Sequence, residues 1–154
     1  MKIEDEIKQS SFPNQREKAI INLLYTSNTV EDAFRSVLKS FDLSLPQYNV
    51  LRILRGKREG FATCGDLKQV MLDKNPDVTR LCDKLVVKHL INRNSNSQNR
   101  REIHLKISGD GLNILDEIEP YFEAVKNKLI DIPEDELSSL SDTLDKIRER
   151  VRKS

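Results

Sequence analysis

Apolar residues at Ile20, Leu23, Leu24, Val30, Phe34, Val37, Leu38 and Phe41 recur at steps of three and four, which predicts one long amphipathic helix near the start of the chain. A second helix should begin at Ser44, an N-cap residue whose capping-box partner is Gln47 and whose first turn tolerates Pro46. Tyr48, Leu51 and Leu54 give it an apolar stripe, and Gly56 is placed to end it. A third, short helix is capped by Thr63 with Asp66 three residues on, and turns Leu67, Val70 and Met71 to the core. After a brief turn, Asn75 caps a fourth helix with Pro76 at its first position and Asp77 near the positive end of its dipole. Wound at about 100° per residue, this helix gathers Val78, Leu81, Cys82, Leu85, Val86 and His89 on one side. Asp77, Arg80, Lys84 and Lys88 share the other side. A short helix, a tight turn and a helix with one apolar and one basic face predict helix-turn-helix geometry.

The period changes to two after Leu90, where Ile103, Leu105 and Ile107 alternate with Glu102, His104 and Lys106 beyond a polar loop at residues 94–99. This predicts a β-hairpin with Arg93, Arg100 and Arg101 at its tip. Ser108 then starts a helix with Leu112, Leu115, Ile118, Phe122, Val125 and Leu129 inward and a kink expected at Pro120. Pro133 opens the last helix, in which Leu137, Leu140, Leu144, Ile147 and Val151 keep a heptad-like rhythm for about two heptads. That is too short for a stable free coiled coil, so this stripe calls for a partner, expected to be the first long helix and their copies in a second subunit. The fold class expected is mainly α with a small β-wing (α+β): a winged lobe over residues 44–111, flanked by dimerisation helices at 1–43 and 112–154.

The 154 residues carry a net charge of only +1, but its distribution is informative. Residues 44–106 hold 13 basic and 6 acidic side chains, whereas residues 1–43 hold 6 and 7 and residues 107–154 hold 7 and 12. Basic charge concentrated in the middle of the chain suits a phosphate-binding surface between flanks that do not bind. No apolar run approaches a membrane span of about 18 residues, and the opening MKIEDEIKQSS mixes both charge signs where a signal peptide would be apolar, so a cytoplasmic protein is expected. Two cysteines, Cys64 and Cys82, and two histidines are too few for a zinc cluster, and neither metal nor cofactor is expected. Both thiols read as reduced and structural, with no thiol switch expected.

The run Pro76-Asp77-Val78-Thr79-Arg80-Leu81-Cys82-Asp83-Lys84-Leu85, followed by Leu90-Ile91-Asn92-Arg93, Asn99-Arg100-Arg101 and Ile107-Ser108-Gly109-Asp110-Gly111, closely resembles the MarR family of bacterial winged helix-turn-helix transcription regulators. The likeness runs from Leu43 through Gly111 and includes Leu45-Pro46-Gln47. It implies a homodimer that binds a near-palindromic operator, usually repressing genes for efflux, stress or aromatic-compound metabolism, and that a ligand or an oxidant releases. Two positions depart from the family pattern. Asn99 stands where Asp usually precedes the wing arginine Arg101, and His89 stands where Gly commonly ends the recognition helix.

On this reading the DNA-binding residues are Thr79, Arg80, Lys84, Lys88, Arg100 and Arg101: Arg80 and Lys84 reach base edges in the major groove, and Arg101, with Arg100, enters the minor groove. Family geometry offers Tyr25, Phe34, Tyr48 and Phe122 around a ligand pocket, but no ligand residue is assigned. Two other classes compete. An enzyme is disfavoured because the chain has no phosphate-cradling glycine loop, nucleophile elbow or histidine in triad spacing. A winged-helix protein-interaction module would more often carry an apolar patch where this chain has basic residues.

Overall fold

The computed structural model describes residues 1–57, 60–73, 75–95 and 103–153. Its elements are α1 (Ile3–Glu6), α2 (Gln15–Lys39), α3 (Leu45–Arg55), α4 (Cys64–Val70), α5 (Val78–Val87), β1 (Ile91–Ser95), β2 (Ile103–Ile107), α6 (Gly109–Leu129) and α7 (Glu134–Arg152). The chain divides into two compact units, Met1–Phe122 and Glu123–Ser154.

In the first unit, local chemistry sets the helix starts. Ser44 Oγ accepts from the Gln47 N–H while the Gln47 side chain accepts from the Ser44 N–H, and Thr63 and Asp66 repeat the exchange at α4. Each box satisfies two amides that no helical carbonyl can reach. The start of α5 differs from expectation. Asp77 is the N-cap, its carboxylate accepting from the Arg80 N–H at 3.1 Å, and Asn75 and Pro76 lie in the preceding turn. Beginning the helix at Pro76 would extend it through the half-buried Pro76 and the exposed Asp77 without adding to the buried row of Val78, Cys82 and Leu85.

The helix ends are equally specific. Asp42 and His89 take left-handed conformations with φ of 52° and 60°. In each case the following amide reaches back five residues, Leu43 to Leu38 and Leu90 to Leu85, closing a Schellman turn. His89 thus supplies the geometry usually left to glycine. It also lies beyond the helix and is exposed, not on the buried side where uninterrupted winding put it. Lys88 ties the two turns together, donating to the Asp42 carboxylate at 2.7 Å and to the Asp42 carbonyl oxygen.

One core joins α2, α3, α4, α5, β2 and the first half of α6 through Leu38, Val50, Leu51, Leu67, Leu85, Leu105, Leu115 and Ile118. Val70 is not part of it. It is 56% exposed while Met71 is buried, because Val70 sits roughly 60° around the helix from Leu67 and Met71 only about 40° to the other side. Leu112 and Leu129 on α6 are also exposed instead of inward, and α6 continues unbroken through Pro120.

β1 and β2 pair antiparallel, with Ile91 opposite Ile107, Arg93 opposite Leu105 and Ser95 opposite Ile103. Arg93 is therefore in mid-strand and not at the hairpin tip. A third segment joins them: Ala62 and Leu105 exchange backbone hydrogen bonds at 2.9 and 2.8 Å. The beginning of α6 then packs against the turn between α5 and β1 so closely that a Cβ on Gly111 would fall 2.2 Å from the Leu90 carbonyl oxygen.

The second unit contains the end of α6 and α7. Pro133 precedes α7 as its N-cap, and Leu140, Ile147 and Val151 are exposed along it.

Candidate nucleic-acid interface

α5 is the second helix of the α4–α5 pair, and its two faces have different fates. Val78, Cys82 and Leu85 are buried, while Thr79, Arg80, Asp83, Lys84 and Val87 face solvent. Arg80, Lys84 and Val87 thus form one exposed row, and Thr79 stands about 100° around the helix from Arg80 on the solvent side. Lys88 stands apart, because its ammonium is engaged by Asp42. That contact holds the Asp42 carboxyl below its ordinary range, the hydrogen bond from Lys88 being the main cause. Arg100 and Arg101 lie outside the described residues.

The hairpin is attached to this helix at its root. Arg93 Nη1 of β1 meets Asp83 Oδ1 of α5 at 2.7 Å. The sequence marks Arg93 as a basic residue near a turn, but only the register of β1 against β2 places it beside α5. His104 of β2 stacks on Phe61 with ring centroids 3.8 Å apart, and Lys106 extends past Gly60 on the outer side of the hairpin.

An open groove of about 640 Å³ runs between the start of α4, the start of α5 and the hairpin, lined by Thr63, Cys64, Gly65, Asp66, Thr79, Arg93 and Ile103. Asp66 is held ionised there by the Thr63 backbone N–H first and the Thr63 hydroxyl second, so its carboxyl lies below the ordinary range. The aromatic residues that family geometry offers around a ligand pocket make contacts of their own. Phe122 packs on Phe34 at 4.7 Å and on Tyr48 at 4.5 Å, and the Tyr25 hydroxyl donates to Glu6.

Among the described residues, no group of three or more His, Cys, Asp or Glu side chains is placed to hold a metal ion, and no helix is long and apolar enough to cross a membrane.

A helix-turn-helix pair followed by a two-stranded wing defines a winged helix-turn-helix lobe. The MarR family model matches residues 43–103, most of this lobe. Solved structures extend the likeness to most of the chain. AbsC, a MarR family transcriptional regulator from Streptomyces coelicolor, superposes with a TM-score of 0.78 at 19% identity, over 94% of this chain and 100% of that one. BpsR of Bordetella bronchiseptica, described with regulation of its DNA binding by 6-hydroxynicotinic acid, gives 0.77 at 17% identity over 90% and 98%. A cysteine-to-serine mutant of MarR from E. coli, complexed with operator DNA, gives 0.75 at 21% identity over 89% and 99%. No curated protein is significantly similar to the chain.

Proposed function

We propose that this protein is a sequence-specific, DNA-binding transcriptional regulator acting as a homodimer on a near-palindromic operator. The observation that carries the reading is the divided surface of α5, where a buried apolar face fixes the helix to the core and leaves Thr79, Arg80 and Lys84 together in solvent beside the wing. A helix held this way can enter a major groove, with Arg80 forking onto a guanine edge and Lys84 meeting bases or phosphate. Thr79 serves a phosphate. Arg100 and Arg101 are assigned to the minor groove from the sequence pattern. Lys88 takes a lesser part in this assignment, since leaving Asp42 would break an existing ion pair.

Residues 44–111 form the DNA-binding lobe, and residues 1–43 and 112–154 supply the dimerisation helices. The exposed stripe of Leu140, Ile147 and Val151 supports the second assignment. Repression released by a small aromatic ligand is the regulatory mode we favour. The groove beside Thr79 and Arg93 would let such a ligand touch both helices of the pair and the wing at once.

Selection of genomic fragments by the purified protein, followed by fluorescence anisotropy at physiological salt, tests the reading. A selected fragment should bind at least about 10³-fold more tightly than random DNA. Equal affinity for both would overturn sequence-specific regulation and favour a winged-helix module that binds protein.

A further inference from the structure

Two corners of the fold are built alike and touch. The first follows α2, where Asp42 takes its left-handed turn between Leu38 and Leu43, and the second ends α5, where His89 does so between Leu85 and Leu90. All four leucines are buried, so each corner is seated in the core. Lys88 reaches from one corner to the other. Its side chain is largely covered, and its ammonium donates to both the carboxylate and the carbonyl oxygen of Asp42.

Apolar burial is non-directional and fixes how deep each corner sits. Two hydrogen bonds from one ammonium to one residue are directional, and they fix which way the end of α5 points relative to the end of α2. The charge of Asp42 makes this arrangement informative. Its carboxylate is 96% exposed, and an acid so placed repels phosphate. Its bond to Lys88 also withdraws a cation of α5 from solvent. As a charge alone, Asp42 works against DNA binding.

We propose that Asp42 is a positioning residue for DNA recognition: it holds Lys88 away from DNA and so sets the direction in which α5 presents Arg80 and Lys84. The inference rests on the function proposed above and narrows it, replacing a DNA contact at Lys88 by a contact within the protein. Because α2 is assigned to the dimer, the same pair sets α5 relative to the two-fold axis, and with it the separation of the half-sites that a dimer reads.

Asp42→Gly, Lys88→Met and the double variant test this on a selected operator. Glycine adopts a left-handed turn without strain, so Asp42→Gly removes the carboxylate and keeps the corner. Circular dichroism checks the folding of each variant, and Lys88→Met decides the matter if Asp42→Gly does not fold. Each single variant should bind the operator about two- to fivefold more weakly, the reach of a partly exposed ion pair, and the double variant no more weakly than either single. Affinity for random DNA should not fall, and the salt dependence of Lys88→Met should keep the wild-type slope. Against an operator whose half-sites are moved apart by one base pair, the variants should discriminate less sharply than the wild type, a readout that a loss of fold stability does not move.

Tighter operator binding by Asp42→Gly, or a salt slope flattened by about one counterion in Lys88→Met, would overturn the proposal and make Lys88 a phosphate contact. Weaker binding with spacing discrimination intact would reduce the pair to a support of the fold and overturn it too, as would affinities unchanged in both variants. A wild type that binds operator and random DNA equally would instead overturn the proposed function, and the positioning role with it.

Discussion

Arg93 in the first strand of the hairpin and Asp83 on the outer side of α5 form an ion pair with 2.7 Å between Nη1 and Oδ1, linking the root of the wing to the helix beside it. Their side chains are 37% and 52% exposed, so solvent screens the attraction. A double-mutant cycle with Asp83→Ala and Arg93→Ala should give a coupling of about 0.2–1 kcal/mol in stability, the range of exposed pairs. Urea unfolding of the four proteins measures it. A coupling above 2 kcal/mol would show that the pair is shielded.

Gly111 should tolerate no side chain. A Cβ there meets the Leu90 carbonyl oxygen and, at 2.8 Å, Ile107 Cγ1, and backbone cannot step aside as a flexible side chain can. Gly111→Ala should destabilise the first unit by about 1–3 kcal/mol through overpacking. Gly109→Ala, with open space around its Cβ, is the control. Equal melting temperatures for both variants would contradict the close approach.

Acid should weaken the protein through its capping carboxylate. The folded-state pKa of Asp66 is depressed by the Thr63 N–H and hydroxyl, below an unfolded value of about 3.9. Its contribution is fully present above that unfolded value and is lost as pH falls through the folded value. Asp42, lowered by Lys88, titrates with the same sign. The urea midpoint of the wild type should therefore drop below about pH 4, and Asp66→Asn should flatten that drop while lowering the midpoint at neutral pH. A wild-type curve unchanged between pH 5 and pH 3 would remove the carboxylates from the account.

The two basic elements should fail differently on DNA. Arg80→Ala should cost about 1–3 kcal/mol and relax preference at one base pair per half-site. Arg101→Ala should weaken binding across sequences and flatten its salt dependence. Footprints should show inverted half-sites about 10 bp apart, centre to centre. Unchanged affinity in both variants would count against the regulator reading.

Self-association is tested on the last helix. Replacing Leu140 and Leu144 with Glu should dissociate or unfold the dimer, and analytical ultracentrifugation at micromolar concentration reads the outcome. A wild-type protein that sediments there as a stable monomer would end the dimer proposal.

The sequence made visible whatever depends on neighbours along the chain. Ser44 with Gln47 and Thr63 with Asp66 are local exchanges, and three-residue spacing suffices to find them. The buried row of α5 follows from periodicity alone. Periodicity misplaced His89 because it lies past the end of α5, where the winding no longer applies, and Val70 because α4 turns Leu67 and Met71, not Val70, to the core. Residues distant in sequence were not legible. The pairing of Ala62 with Leu105 and the grip of Lys88 on Asp42 depend on how elements pack. In the candidate site, Arg80 and Lys84 were readable as one face, while the engagement of Lys88 by Asp42 was not.

The C-terminal end of α5 is pinned from several sides: its own left-handed turn at His89, Lys88 fastened to the corner after α2, and the Ser108 hydroxyl donating to the His89 carbonyl at 2.7 Å. This makes the helix a lever with its fulcrum at one end. At a rise of about 1.5 Å per residue, Arg80 lies roughly 12 Å from that fulcrum. A pivot of about 5° sweeps its backbone through about 1 Å, enough to lengthen a hydrogen bond beyond its working range.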